Sequence, residues 1–374
     1  MSIRRQAYPE CSDDQLADIP AHVEVIRTFA FDTARHLSFR GRYWSLLAYP
    51  DRWITWWFGS IVPALQVVRR HRPSIIWSTY PIATAHLIGL TLHRITGIPW
   101  VADFRDSMTE ENYPTDRKRR CVYRWIEQHA VSRAAFSVFT APSAAAMYAE
   151  RYPNIDRSRF LCILNGYDEE MFEVAQKISW PVPIEKGKRV LLHSGILYPS
   201  ERDPTHFFAA VKQLIDENCA DLTEFEIHLR ATGHDKTMRR LIEEFDIAEC
   251  VKLLPALDYS NALREMMQAD GLLLFQASNC NHQIPAKLYE YLRSGRPVLA
   301  LTDPKGDTAN LLFSVGNSSV VRLDSQPEIV DALKKFLHQI KSNTALRVSD
   351  NIIANYSRRN QTKELAKLFD TISR

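Results

Sequence analysis

Cysteine is sparse and scattered. Cys11, Cys121, Cys162, Cys219, Cys250 and Cys280 never fall at Cys-x-x-Cys spacing. That argues against a zinc ribbon or a disulfide framework and points to a reducing, cytoplasmic compartment. No apolar run reaches the roughly 18 residues that a membrane-spanning helix requires. The opening stretch MSIRRQAYPECSDDQ lacks the apolar segment of a secretory leader. Neither sign of charge dominates: 47 Lys plus Arg against 44 Asp plus Glu leave +3. A dedicated polybasic nucleic-acid binder is therefore not expected. No Gly-x-Gly-x-x-Gly follows a strand-like run, which speaks against a dinucleotide-dependent dehydrogenase. Fixed-period repeats and low-complexity tracts are absent as well.

What remains is a chain of 374 residues, 45% hydrophobic and 24% charged, an ordinary globular composition. At roughly 100–200 residues per domain, two domains are expected. Short β-branched runs alternate with helical patterns. Strands are expected at 23–31, 74–80, 99–104, 136–141 and 160–165. Helices are expected at 61–72, 83–97 (closed by Gly97), 114–135 and 143–151. At 165–189 the alternation pauses, and the interdomain linker is placed there. It restarts with strands at 189–195, 224–233, 250–255, 271–277, 296–302 and 319–323. Helices there are expected at 205–217, 236–247, 260–269, 286–295, 327–340 and 358–372. Such alternation implies parallel βαβ units with right-handed crossovers. The fold class is α/β, two doubly wound Rossmann-like domains facing one cleft. In such sheets ligands bind beyond the carboxyl ends of the strands.

Two segments carry chemistry. In HSGILYPSERDP (193–204), Gly195 ends a strand, and a residue without Cβ lets a ligand approach the backbone. Arg202 precedes a helix start and suits a diphosphate clamp; a tight turn with a solvated arginine is the competing reading. In NCNHQIPAKLYEYLRSGRPVLAL (279–301), Pro285 suits a first helical turn, and Lys287 and Glu290 stand at i, i+3. A carboxylate there could accept ribose hydroxyls while the amides of 286–288 meet phosphates. An ordinary surface Lys–Glu pair is the alternative. Asp103, Arg105 and Asp106 follow a strand, where a carboxylate could orient an acceptor hydroxyl or serve as base; a helix-capping ion-pair cluster fits equally. Thr84 and His86 open a helix, and His86 reads as a phosphate contact or a packed histidine.

The 279–301 string resembles the donor-binding signature of GT-B glycosyltransferases, above all the retaining enzymes of family 4. Glu290 matches the second glutamate of their pattern, and Gly295-Arg296-Pro297-Val298 matches the helix end. His282 stands where the first glutamate is usual. NGYDEEMF (165–172) resembles the family's element entering the linker and YSRRNQT (356–362) its closing helix, while PWVADFRDSM (99–108) is similar to the acceptor-side half of exopolysaccharide-type members.

The resemblance implies a nucleotide-sugar-dependent glycosyltransferase, retaining and metal-independent, without a cofactor. Its donor-binding residues would be Gly195, Arg202, His282, Lys287, Leu288 and Glu290, with Arg202, Lys287 and Asp103 catalytic. Thr84, His86, Arg105 and Asp106 would face the acceptor. The acceptor would be a sugar or lipid-linked sugar in polysaccharide or envelope assembly. A sugar-nucleotide 2-epimerase of the same fold, or a degenerate nucleotide binder, stays open beside it.

The resemblance also implies an acceptor domain at 1–170, a nucleotide-sugar domain at 171–355 and a closing helix at 356–374 packing back on the first. The first domain would lack the family's opening strand and Gly-rich loop. No Asp-x-Asp pair, as a metal-bridged diphosphate would need, occurs anywhere. Finally, Trp44, Trp53, Trp56 and Trp57 lie among Arg40, Arg42 and Arg52. They suit peripheral contact with the inner face of a membrane, or a loop whose rings pack on the sheet.

Overall fold

The computed structural model describes residues 1–8, 16, 19–38, 48–110, 113–178 and 188–373. The chain divides into two compact units, 1–163 with 365–374, and 164–364. Trp44, Arg40, Arg42 and Cys11 lie outside the described residues.

Unit 1 contains a short parallel pair, β1 (Ser2–Ile3) and β2 (Arg27–Thr28). The strand expected at 23–31 contracts to these last two residues. Its flanks Val23, Val25, Phe29 and Phe31 are exposed, so the apolar run has no second layer to bury it. The main sheet is parallel, in sequential order: β3 (Ile76–Thr79), β4 (Trp100–Arg105), β5 (Phe136–Phe139) and β6 (Phe160–Cys162). The helix Ala83–Thr96 joins β3 to β4 and ends at Gly97, whose φ of +71° closes it in the left-handed conformation. Arg117–Arg133 and Pro142–Arg151 complete the crossovers. The helix expected at 61–72 starts earlier, at Thr55, and runs to His71 through Pro63.

That early start settles part of the tryptophan reading. Trp56 is buried and its indole donates to Thr28 Oγ1 at 2.8 Å. The Trp57 indole donates to Thr91 Oγ1 at 2.9 Å. Arg52 lies over the Trp53 ring, 4.2 Å from its centroid. These three rings pack into unit 1. No helix among the described residues is long and apolar enough to cross a membrane.

Unit 2 opens with a helix, Glu169–Lys177, inside the stretch read as linker; the Asp168 carboxylate caps it by accepting from the amides of Glu170 and Met171. Six parallel strands follow: β7 (Arg189–Ser194), β8 (Phe225–Arg230), β9 (Val251–Leu254), β10 (Gly271–Phe275), β11 (Val298–Leu301) and β12 (Val320–Val321). Their order across the sheet is β12-β11-β10-β7-β8-β9. The strands grow outward from β7 in one direction, then from β10 in the other. The switch point therefore lies between the carboxyl ends of β7 and β10. β10 is buried on every residue and β7 on all but its first, as expected of parallel strands covered on both faces. Phe207, Phe208, Phe225, Phe275 and Phe336 anchor that core. A further helix, Asp307–Ser314, was not read from the sequence.

The last helix, Arg358–Ile372, spans the division between the units. Within unit 1, Leu365, Leu368, Phe369 and Ile372 pack with Val101 and Val138 of the main sheet.

Candidate active site

At the switch point β7 ends in His193-Ser194, and Gly195 follows. Gly195 has φ +120°, a conformation side chains rarely adopt, and its amide donates to Arg230 O at 2.9 Å. A Cβ placed there would lie 2.6 Å from Lys287 Nζ, so the missing side chain is the space the ammonium occupies. Lys287 comes from the second position of the helix Ala286–Arg293, which starts without a side-chain cap behind Pro285.

His193 is fully buried beneath that ammonium. Its Nδ1 lies 2.9 Å from Leu273 O and its Nε2 3.5 Å from Lys287 Nζ. Burial first, and Lys287 second, hold His193 well below the usual histidine range, so the ring is neutral. Nε2 also lies 3.2 Å from Gly195 O, so each ring nitrogen faces a backbone carbonyl and the neutral ring can donate to one of them. Burial pulls Lys287 down to about 7, with the positive charge of Arg202 adding to the fall and Glu290 opposing it.

Arg202 stays beside this group because its backbone amide donates to Tyr198 O and its guanidinium donates to Ile196 O, both at 2.8 Å. Two cations thus converge on a strand end with no carboxylate between them close enough to form an ion pair among the described residues. Such a site stabilises a group bearing concentrated negative charge.

Glu290, one turn further along the helix, is half-buried. Its partner is the Tyr259 hydroxyl, which donates to Oε1 at 2.7 Å, and no ion pair joins it to Lys287 among the described residues. Burial raises its pKa; Tyr259, Arg358 and Lys287 act the other way. The other carboxylate oxygen is left for a further donor. Of the three amides expected at a phosphate, that of Leu288 already donates to Pro285 O at 2.9 Å, and the Leu288 side chain is buried. His282 is half-buried, on the loop after the short turn Ser278–Cys280.

The structure therefore brings Gly195, Arg202, Lys287 and Glu290 to one strand end of unit 2. It adds His193, Tyr259 and Tyr291, whose hydroxyl accepts from the Ser194 amide at 2.9 Å. No spacing signals these three: their partners lie 94, 31 and 97 residues away in sequence.

In unit 1, Asp103, Arg105 and Asp106 cluster at the carboxyl end of β4, beside a register shift against β5. Arg105 is exposed at φ +48°, and its amide donates to Asp103 Oδ1 at 3.2 Å. Burial raises the pKa of both half-buried carboxyls, with Thr79 and Arg105 opposing it at Asp103 and Arg105 alone at Asp106. Thr84 is fully buried, and both its amide and hydroxyl donate to Asp51, at 2.8 and 3.0 Å. Asp51, unread in the sequence, thereby closes the start of that helix.

His86 is also fully buried, with Nδ1 2.8 Å from Ser78 Oγ and the Phe104 ring 4.9 Å away. Burial lowers it to about 3, so it is neutral near pH 7 and packs in the core rather than offering a charge to phosphate. Among the described residues no group of three His, Cys, Asp or Glu side chains could hold a metal ion.

Residues 6–166 match the family model described as a glycosyl transferase 4-like domain. No curated protein matches the chain. Similar solved structures include sucrose-phosphate synthase of Thermosynechococcus elongatus, at 12% identity and TM-score 0.63 over 95% of this chain and 86% of that one. HepE of Anabaena, solved in complex with UDP-glucose, is 14% identical with TM-score 0.63 over 84% and 82%. The α,α-trehalose 6-phosphate synthase of Burkholderia multivorans is 11% identical with TM-score 0.62 over 85% and 76%. The chain has the GT-B fold of two Rossmann-like units, and its residues 6–166 are similar to the glycosyl transferase 4-like domain.

Proposed function

We propose that the protein moves a sugar from a nucleotide-sugar donor to a hydroxyl acceptor. The observation that supports this most is the pair of cations, Arg202 and Lys287, at the end of a strand followed by a glycine whose missing side chain makes room for the lysine's ammonium. In this reading the bond between the sugar's anomeric carbon and the diphosphate oxygen breaks. The nucleoside diphosphate leaves with the electron pair, and its growing charge is met by the two cations and the amides of Ala286 and Lys287. The acceptor oxygen bonds the anomeric carbon, and its proton passes to a base. Asp103 is the proposed base or orienting carboxylate, since burial raises its pKa and so makes it a better proton acceptor than a solvated carboxylate. Glu290 would accept the ribose hydroxyls on the oxygen that Tyr259 leaves open.

The finer reading follows the resemblance: a retaining, metal-independent enzyme acting on a sugar or lipid-linked sugar in polysaccharide or envelope assembly, at the inner face of a membrane. HepE, which shares the fold, was solved with UDP-glucose, so uridine diphosphate heads the panel to be tried. Calorimetric titration with nucleoside diphosphates tests the donor half. Micromolar binding of at least one is expected; binding of none would remove the proposal. Transfer that vanished with EDTA and returned with manganese would contradict metal independence.

A further inference from the structure

A pocket of about 260 Å³ lies at the amino edge of the unit 2 sheet, opposite the switch point. Arg189 opens β7, while Asp270 and Arg296 sit just before β10 and β11. Lys341 ends the helix Gln326–Lys341, and Arg347 follows it. Four cations thus line one concavity. Two carboxylates answer them. Glu224 takes both Arg189 and Lys341, at 3.1 and 2.6 Å. Asp270 faces inward but already accepts from the Val190 amide at 2.8 Å. An excess of two positive charges remains.

Arg296 is half-buried, and its Nε donates to the uncharged carbonyl of Met267 at 2.8 Å. That bond fixes the guanidinium on the wall without neutralising it. Burial, and then the charge of Arg347, hold Arg296 below the usual guanidinium range, with Asp270 opposing. Two guanidiniums that repel across a small pocket cost stability, and a doubly charged oxyanion between them would reverse that sign. The planar N–H forks match phosphate oxygens in pairs.

We propose that this pocket binds a phosphate-bearing dianion, held chiefly by Arg296 and Arg347, separately from any donor bound at the switch point. The phosphate could be that of a free phosphate ester or of a lipid headgroup.

The test is calorimetric titration of the full chain with inorganic pyrophosphate at fixed ionic strength. Lys287→Gln removes the competing switch-point cation. The Lys287→Gln protein is expected to keep a pyrophosphate site, and adding Arg347→Gln and Arg296→Gln should weaken it at least tenfold. Arg347 is exposed, so Arg347→Gln alone provides a variant whose folding is not at risk, with a smaller loss in the same direction. Loss of all pyrophosphate binding in Lys287→Gln overturns the proposal, as does an unchanged affinity in the arginine variants. Co-sedimentation with vesicles of phosphatidic acid or of phosphatidylcholine then separates the sources. Retention on phosphatidic acid alone, lost in Arg347→Gln, assigns the phosphate to a lipid. No retention, with pyrophosphate binding intact, assigns it to a free ester.

Discussion

Lys287 and Glu290 stand one turn apart on one helix, yet each finds its recorded partner elsewhere: Lys287 at His193 and Glu290 at Tyr259. That divergence gives the two residues opposite forecasts. An ammonium whose pKa falls to about 7 in the fold binds fewer protons there than in the unfolded chain between about 7 and 10.5. Its contribution to stability therefore rises with pH across that window, and below it the buried cation is a cost. Lys287→Met should raise the melting temperature at pH 6, with the gain shrinking towards pH 10. The same change should weaken nucleoside diphosphate binding at least about tenfold, since charge-assisted bonds contribute roughly 1.5–3 kcal/mol. Melting curves and titrations at both pH values check the two signs. Tyr259→Phe removes a bond that favours the ionised Glu290 carboxyl, so Glu290 should titrate at higher pH. Diphosphate affinity should then begin to fall at a higher pH than in the unchanged protein; superimposable pH profiles would show that Tyr259 does not act through Glu290.

At the scale of elements, the alternation of strands and helices was readable because each parallel strand is a short apolar run. β10, Gly271–Phe275, is such a run, buried along its whole length. Of the helices that escaped, the two longest did so for physical reasons. Glu169–Lys177 follows an Asn-Gly pair and is rich in acid, so it reads as a loop until Asp168 is seen to cap it. Asp307–Ser314 spans little more than two turns, too short for a period to show. The candidate site was readable where one contiguous string carried it, as with Lys287 and Glu290. It was not readable where the sheet order brings distant segments together, as with His193 and Tyr259. The strand end itself yields a prediction. Gly195→Ala forces a side chain into a φ of +120° and onto Lys287. A cost of about 1–3 kcal/mol is expected, with diphosphate binding lost alongside. Chemical denaturation measures the first and titration the second.

For the whole molecule, the division at 163/164 and again within the helix Arg358–Ile372 means that the chain's last residues belong to its first unit. Leu368 is nearly buried against Val101 and Val138. Leu368→Ala should destabilise unit 1 by about 2 kcal/mol, the lower end for a core leucine. Nucleoside diphosphate binding, which the proposal assigns to unit 2 alone, should be unchanged. A loss of affinity to match the loss of stability would show that the donor site depends on more than unit 2.

The central claim is that the unit 2 switch point is a nucleoside diphosphate site with Glu290 on the ribose. The measurement that reaches it most directly is isothermal titration of the full chain and of Glu290→Gln with a panel of nucleoside diphosphates. The expected result is binding of at least one diphosphate, weakened at least about tenfold by the substitution, with the melting temperature little changed. Binding of none, or an unchanged dissociation constant in Glu290→Gln, would contradict it.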